Sequence, residues 1–223
     1  MKKPIPKTSI GSMISYKPSF GTGIDEKAIR LSANESALGV SPKVKDYLKN
    51  LHVDPSRYPE IQDINLIKSI SKRYTLDSSK IILSNGSDEL LNLICQSYLN
   101  YEDEAIHSEF AFLVIPQSIK IAGGKPVLVK DEKMRINIKN FKNSISKKTK
   151  IVFVVNPNNP TGTKISNKEI LSLYSAIPKN VIFVLDLAYA EYLEEEFAST
   201  VTRLVEDNPN VIMTRTFSKL HGL

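Results

Sequence analysis

Lys150-Ile151-Val152-Phe153-Val154-Val155 runs directly into Asn156-Pro157-Asn158-Asn159-Pro160-Thr161-Gly162. The first run is short, β-branched and apolar on both alternating faces, which predicts a strand covered on both sides. The second stops it. Two prolines and a glycine make a rigid turn, and that turn holds the Asn159 amide at the end of the strand. The same arrangement returns twice downstream. Residues 181–185 are apolar and end in Asp186, and residues 211–216 lead into Phe217-Ser218-Lys219.

Residues 80–84 and 126–130 are further short β-branched runs, and residues 104–107 are strand-like. Between the runs lie helical patterns at 63–74, 88–99, 110–121, 138–145 and 166–176. The last of these opens with Ser166-Asn167-Lys168-Glu169, a capping-box sequence. Strand–helix alternation with nearly continuous apolar strands predicts an α/β fold built on a mostly parallel sheet with helices on both faces. In such sheets ligands bind beyond the carboxyl ends of the strands.

The bulk numbers narrow the class. With 223 residues and 41% hydrophobic content the chain can bury one substantial core and begin a second domain. Its net charge of +6 comes from lysines and arginines that are scattered rather than clustered, so it reads as a solvated basic surface and not a nucleic-acid footprint. The single cysteine, Cys95, excludes an intramolecular disulfide and a cysteine-built metal site. It sits among Leu91, Leu93, Ile94 and Leu99, the setting of a buried thiol. No run is long enough to span a bilayer, and the first thirty residues read as an irregular arm without a signal-peptide core, so a cytoplasmic location is expected.

The chemistry-bearing residues fall at the strand ends. Asp186 ends a run too apolar to hold an acid without a partner, because a buried carboxylate must be paired or lose its charge. A pyridinium N–H is one such partner. Tyr189, three residues on, is placed to donate to a ring oxygen. Lys219 follows the last run with Thr216 and Ser218 beside it, two hydroxyls able to reach a phosphate. Asn85-Gly86-Ser87-Asp88-Glu89 precedes a helix. There the backbone N–H groups of Ser87 and Asp88 are either a phosphate cradle or part of an ordinary helix cap, and the sequence leaves both open. Phe110 is either core or the face for an aromatic cofactor ring. A lysine, an acid for a pyridine nitrogen and donors for a ring oxygen are the set a pyridoxal phosphate enzyme needs.

In this order the motifs resemble the fold-type I pyridoxal phosphate aminotransferases. They are Asn85-Gly86-Ser87-Asp88-Glu89, Asn158-Asn159-Pro160-Thr161-Gly162, Asp186-Leu187-Ala188-Tyr189 and Arg215-Thr216-Phe217-Ser218-Lys219. Leu31-Ser32-Ala33-Asn34-Glu35, Ser41-Pro42-Lys43 and Arg57-Tyr58-Pro59-Glu60 are similar to signatures of the histidinol-phosphate branch of that family. The resemblance implies a three-layer large domain. Lys219 would carry the cofactor covalently, Asp186 hold its pyridine nitrogen, and Asn159 and Tyr189 bond its ring oxygen. Phe110 would stack on the ring. Ser87, Asp88, Thr216 and Ser218 would hold the phosphate, and Tyr58 would reach the phosphate in the other subunit of a homodimer. The implied partners are a small amino donor, L-histidinol phosphate, and 2-oxoglutarate as acceptor. Aromatic amino acid transamination, threonine-phosphate decarboxylation and a non-catalytic pyridoxal phosphate-binding module stay open as alternatives.

On this resemblance residues 1–57 are expected to form an arm with part of a small domain, and residues 58–223 an incomplete cofactor-binding large domain. The family's Ala-Gly-Leu-Arg continuation would follow Leu223, so the chain reads as a fragment with most of the small domain missing, expected to be inactive alone. Leu187 stands where the family usually has an acid, a change expected to affect packing rather than chemistry. Ser36-Ala37 replaces the usual Asn-Pro.

Overall fold

The computed structural model describes residues 4–5, 7–13, 29, 31, 33–52, 54, 56–58 and 62–223. These fall into two compact units, Met1–Ile14 with Ser84–Arg215, and Ser15–Leu83 with Thr216–Leu223. The expected irregular arm over the first thirty residues lies largely outside the described residues. Within them, Thr8–Gly11 forms one helical turn (α1).

The first unit holds a five-stranded sheet: β1 (Glu104–Ser108), β2 (Lys125–Val129), β3 (Thr149–Val155), β4 (Ile182–Asp186) and β5 (Val211–Thr214). The order across the sheet is β2-β1-β3-β4-β5, and every pairing is parallel. Helices α4 (Gly86–Tyr98), α5 (Val114–Ala122), α6 (Ile138–Ser144), α7 (Asn167–Tyr174) and α8 (Glu195–Asp207) cover it.

Strand residues alternate between two cores because successive side chains point to opposite faces. Ile151, Phe153, Val155 and Val184 pack with Leu91, Ile94 and Cys95 of α4 and with Ile115 and Ile119 of α5. Val152, Val154, Phe183 and Leu185 pack with Phe141 of α6, Leu173 of α7 and Val201 of α8. The result is three layers, with α4 and α5 on one face and α6, α7 and α8 on the other. Leu187 is buried in the second core, a packing role. The capping box is present, with Ser166 bonded to the Glu169 amide and Glu169 reaching back to Ser166.

The second unit contains α2 (Pro42–Lys49), α3 (Ile64–Tyr74) and a 3₁₀ turn at Ser78–Lys80. Residues 81–84 are not a strand, contrary to the sequence expectation. Their β-branched run finds no ladder; the Leu83 N–H is instead accepted by Gln62 Oε1 at 2.9 Å, and Ile82 is exposed. The predicted helix at 110–121 starts only at Val114, because residues 109–113 form a loop after β1. Helices α2 and α8 were not anticipated. Among the described residues no helix is long and apolar enough to cross a membrane, and no cluster of three His, Cys, Asp or Glu could hold a metal.

Burial pushes the Cys95 thiol up to about 12 from an ordinary value of 9.0. Between those values the unfolded chain carries a thiolate and the folded one a thiol, so Cys95 favours folding below pH 9.0 and that contribution fades as pH rises towards 12. Iodoacetamide at pH 9 is therefore expected to label the native protein far more slowly than the urea-unfolded chain. Equal rates would show that Cys95 is not held in this core.

Candidate active site

The order β2-β1-β3 reverses the direction in which strands are added. After β1 the chain passes to α5 on one face, and after β3 it passes to α7 on the other. The two connections diverge, which in an open α/β sheet places the usual ligand crevice between the carboxyl ends of β1 and β3. Phe110 lies in the loop after β1, and Asn159 in the loop after β3. Both are half-buried, and Phe110 belongs to neither core.

Asp186 is the last residue of β4 and is 3% exposed. Val155, Asp186 and Thr214 are direct neighbours across three strands, so their side chains share one face. It is the face covered by α4 and α5, since Val155 and Val184 point there. The shared register lets the Thr214 hydroxyl donate to Asp186 Oδ1 at 2.9 Å. A charge-assisted bond of this kind holds a buried carboxylate in one orientation. Tyr189 follows, half-buried, just before a 3₁₀ turn at Ala190–Tyr192. That turn is anchored by the ion pair of Glu191 with Arg215, both largely buried.

Asn156 closes the loop after β3. Its Oδ1 accepts the Ile165 N–H at 2.9 Å and its Nδ2 donates to the Ile165 carbonyl at 3.2 Å. Cis peptide bonds precede Pro157 and Pro160. Inside the loop Asn158, 4% exposed, donates from Nδ2 to the Phe110 carbonyl at 3.1 Å and to Thr161 Oγ1 at 2.9 Å. The crevice is thus bridged by one amide.

Helix α4 leads into the amino end of β1, so its first turn is directed towards the carboxyl edge. Gly86 opens it with φ +81°, a left-handed value that costs glycine nothing. Neither Ser87 nor Asp88 is the cap. Asn85 is, and Glu89 Oε2 accepts its N–H at 2.7 Å. Ser87 is buried and Asp88 exposed. The amides of a first helical turn have no carbonyl partner within the helix, which suits them to an anion.

Tyr58, Thr216, Ser218 and Lys219 belong to the second unit. Tyr58 is fully exposed, while its neighbours Pro59 and Glu60 lie outside the described residues, as does Ser32. Thr216 Oγ1 and Ser218 Oγ lie 2.7 Å apart, and the Ser218 N–H reaches Thr216 Oγ1 at 3.2 Å. The segment carrying Lys219 is docked on the 36–40 turn. Ser36 Oγ donates to the Leu220 carbonyl at 3.3 Å, and a Cβ at Gly222 would lie 3.0 Å from the Gly39 backbone. Ser36, one of the departures from the family pattern, therefore has a structural partner here.

The donor set of the first unit fits a protonated pyridine ring bearing an ionised oxygen. It comprises a buried carboxylate, a half-buried phenol, a half-buried amide and an aromatic face. Sequence reasoning named these residues. It missed Thr214, Glu191 and Asn158, whose roles depend on register and loop closure.

Residues 26–223 match the family described as aminotransferase class I and II. The histidinol-phosphate aminotransferase of Pelagibacter ubique is 40% identical over 220 residues, covering 98% of this chain and 61% of that protein. The enzyme of the same name from Zymomonas mobilis is 36% identical over 98% of this chain and 59% of its own length. The crystal structure of histidinol-phosphate aminotransferase from Sinorhizobium meliloti, in complex with pyridoxal-5'-phosphate, superposes with a TM-score of 0.80 at 26% identity, covering 86% of this chain and 52% of that one. The chain spans about 60% of the length of these curated relatives.

Asn156→Ala removes both bonds to Ile165 and leaves that segment's buried backbone unpaired. It is expected to cost about 2–6 kcal/mol of unfolding free energy, at about 1–3 for each of the two orphaned groups. Urea titration followed by circular dichroism checks this, and a change under about 0.5 kcal/mol, the range of surface substitutions, would contradict the closure.

Proposed function

The chain belongs to the class I and II aminotransferases, and from that membership we propose that the protein binds pyridoxal phosphate and moves an amino group between L-histidinol phosphate and 2-oxoglutarate in histidine biosynthesis. The observation that carries this reading is agreement with histidinol-phosphate aminotransferases over 98% of the chain at 36–40% identity. The motifs at Asn159, Asp186, Tyr189 and Lys219 support it residue by residue.

When bound, pyridoxal phosphate supplies the electron sink that makes the Cα proton of an amino substrate removable. The residues of this chain do the rest. Lys219 Nζ would hold the cofactor covalently, and the same amine would serve as general base for the Cα proton. Asp186, oriented by Thr214, keeps the pyridine nitrogen protonated. Asn159 and Tyr189 donate to the ring oxygen, and Phe110 covers one ring face. The Ser87 and Asp88 amides at the start of α4, with the hydroxyls of Thr216 and Ser218, hold the phosphate. Asp88 contributes through its backbone, since its carboxylate would repel the anion.

The working form in this reading is a cytoplasmic homodimer in which the exposed Tyr58 reaches the phosphate of the neighbouring subunit's site. In the same reading residues 58–223 would supply most of the cofactor-binding surface and residues 1–57 an arm with part of the small domain.

Two measurements check the reading. Borohydride reduction in the presence of pyridoxal phosphate is expected to trap a covalent adduct in the wild type and none in Lys219→Ala; an adduct retained by the variant would remove Lys219 from its role. Single-turnover conversion of the bound cofactor to its amine form is expected with L-histidinol phosphate. Conversion by aromatic amino acids alone would move the protein to another branch of the family, and release of carbon dioxide without need of a keto acid would make it a decarboxylase.

A further inference from the structure

Three loops at the carboxyl edge are stitched together by side chains, and the bonds converge on Phe110. The Ser108 hydroxyl, at the end of β1, donates to Asp131 Oδ2 across the β1–β2 pair at 2.5 Å. With its proton committed there, the same oxygen accepts the Phe110 N–H at 3.2 Å. On the other side Asn158 Nδ2 donates to the Phe110 carbonyl. Both backbone polar groups of Phe110 are therefore held, one by Ser108 at the end of β1 with Asp131 of the segment after β2 behind it, and one from the loop after β3.

The second arm continues outward with a fixed direction. Thr163 Oγ1 donates to the Met134 carbonyl at 3.1 Å, so its only proton is used. Thr161 must then donate in the 2.8 Å contact with Thr163, which leaves its oxygen free to accept from Asn158. The direction of every bond back to Phe110 follows.

This network is costly. Among the described residues neither Asp131 Oδ1 nor Asn158 Oδ1, both buried, has a hydrogen-bond partner. An orphaned buried acceptor costs about 1–3 kcal/mol, and apolar groups of similar shape would be nearly neutral in the same places. Burial pushes the Asp131 carboxyl above its ordinary range, against the pull of the Ser108 hydroxyl and the Phe110 amide. His107 beside it, 4% exposed, is held below its ordinary value by burial, and its Nδ1 meets the Ser108 carbonyl at 2.8 Å. Stability alone does not account for polar groups placed this way. What they achieve is the location of one half-buried aromatic residue.

We propose that Asp131, acting through Ser108, and Asn158 are positioning residues that set Phe110 against the ring of the cofactor. Neither Asp131 nor Ser108 belongs to any motif singled out in the sequence. The proposal rests on the reading of Phe110 as the ring-stacking residue, so the test includes Phe110 itself.

The experiment compares Ser108→Ala, Asp131→Ala, Asp131→Asn, Phe110→Ala and the Ser108→Ala/Asp131→Ala double variant in the complete protein. It measures the dissociation constant for pyridoxal phosphate, the visible circular dichroism per bound cofactor, and the melting temperature without cofactor. Ser108→Ala and Asp131→Ala are each expected to weaken binding about tenfold, the worth of one charge-assisted hydrogen bond. The double variant is expected to be no weaker than either single one, because both break the same chain of bonds. Asp131→Asn keeps an acceptor for Ser108 and is expected to restore most of the affinity. The circular dichroism per bound cofactor is expected to fall with the affinity, which a purely structural role would not cause. If Phe110→Ala weakens binding while Ser108→Ala and Asp131→Ala leave both affinity and dichroism unchanged, the positioning role is wrong and the reading of Phe110 stands. If Phe110→Ala changes neither, the reading of Phe110 is wrong and the proposal falls with it.

Discussion

Two adjacent parallel strands whose following helices lie on opposite faces of the sheet cannot close the space between their carboxyl ends. In this protein β1 and β3 are that pair, with α5 on one side and α7 on the other. Most of the polar groups of the first unit described above are arranged around the opening. Asp186 stands one strand beyond it, held by Thr214. Phe110 and Asn158 face each other across it, and α4 directs its first turn towards the same edge. The cores do not compete for these residues, because the central strands β3 and β4 are buried on both faces up to the point where they end. Chemistry is possible only at the edge, where the apolar runs stop.

Fixing an edge is harder than fixing a core. Loops lose more conformational entropy per contact than strands do, and buried backbone groups there have no ladder to join. The protein answers with side-chain bonds between loops: Asn156 to Ile165, Asn158 to Phe110, Ser108 to Asp131 and Glu191 to Arg215. The first closes its own loop over nine residues, and the other three tie segments 23 to 48 residues apart. In the proposed reaction, which would depend on ring orientation, these ties would supply preorganisation for binding and proton transfer.

The strands of residues 149–155 and 182–186 were legible because nothing but a sheet covered on both faces suits so uniform an apolar run. The cap at Ser166 was legible because its partner lies three residues away. Residues 81–84 misled for the same reason that the others informed: the composition is that of a strand, but the Leu83 N–H goes to Gln62, which no local pattern shows. Helix α2 buries none of its residues, so its pattern carried little signal beyond Ser41-Pro42 at its start. Helix α8 did carry one, Phe197, Val201 and Leu204 on one side, behind an acidic opening. Asp186 and Tyr189 could be found from position alone. Thr214 and Asp131 could not: Thr214 meets Asp186 through strand register across 28 residues of chain, and Asp131 meets Ser108 from beyond the end of β2 across 23.

In the proposed function the buried carboxylate of Asp186 exists to keep a pyridine nitrogen protonated. The most direct measurement is the ¹⁵N chemical shift of the ring nitrogen of labelled pyridoxal phosphate bound to the complete protein and to its Asp186→Asn variant. A pyridinium shift in the wild type that moves to the neutral value in the variant is the expected result. A neutral nitrogen in the wild type, or a pyridinium unaffected by the substitution, would contradict the account.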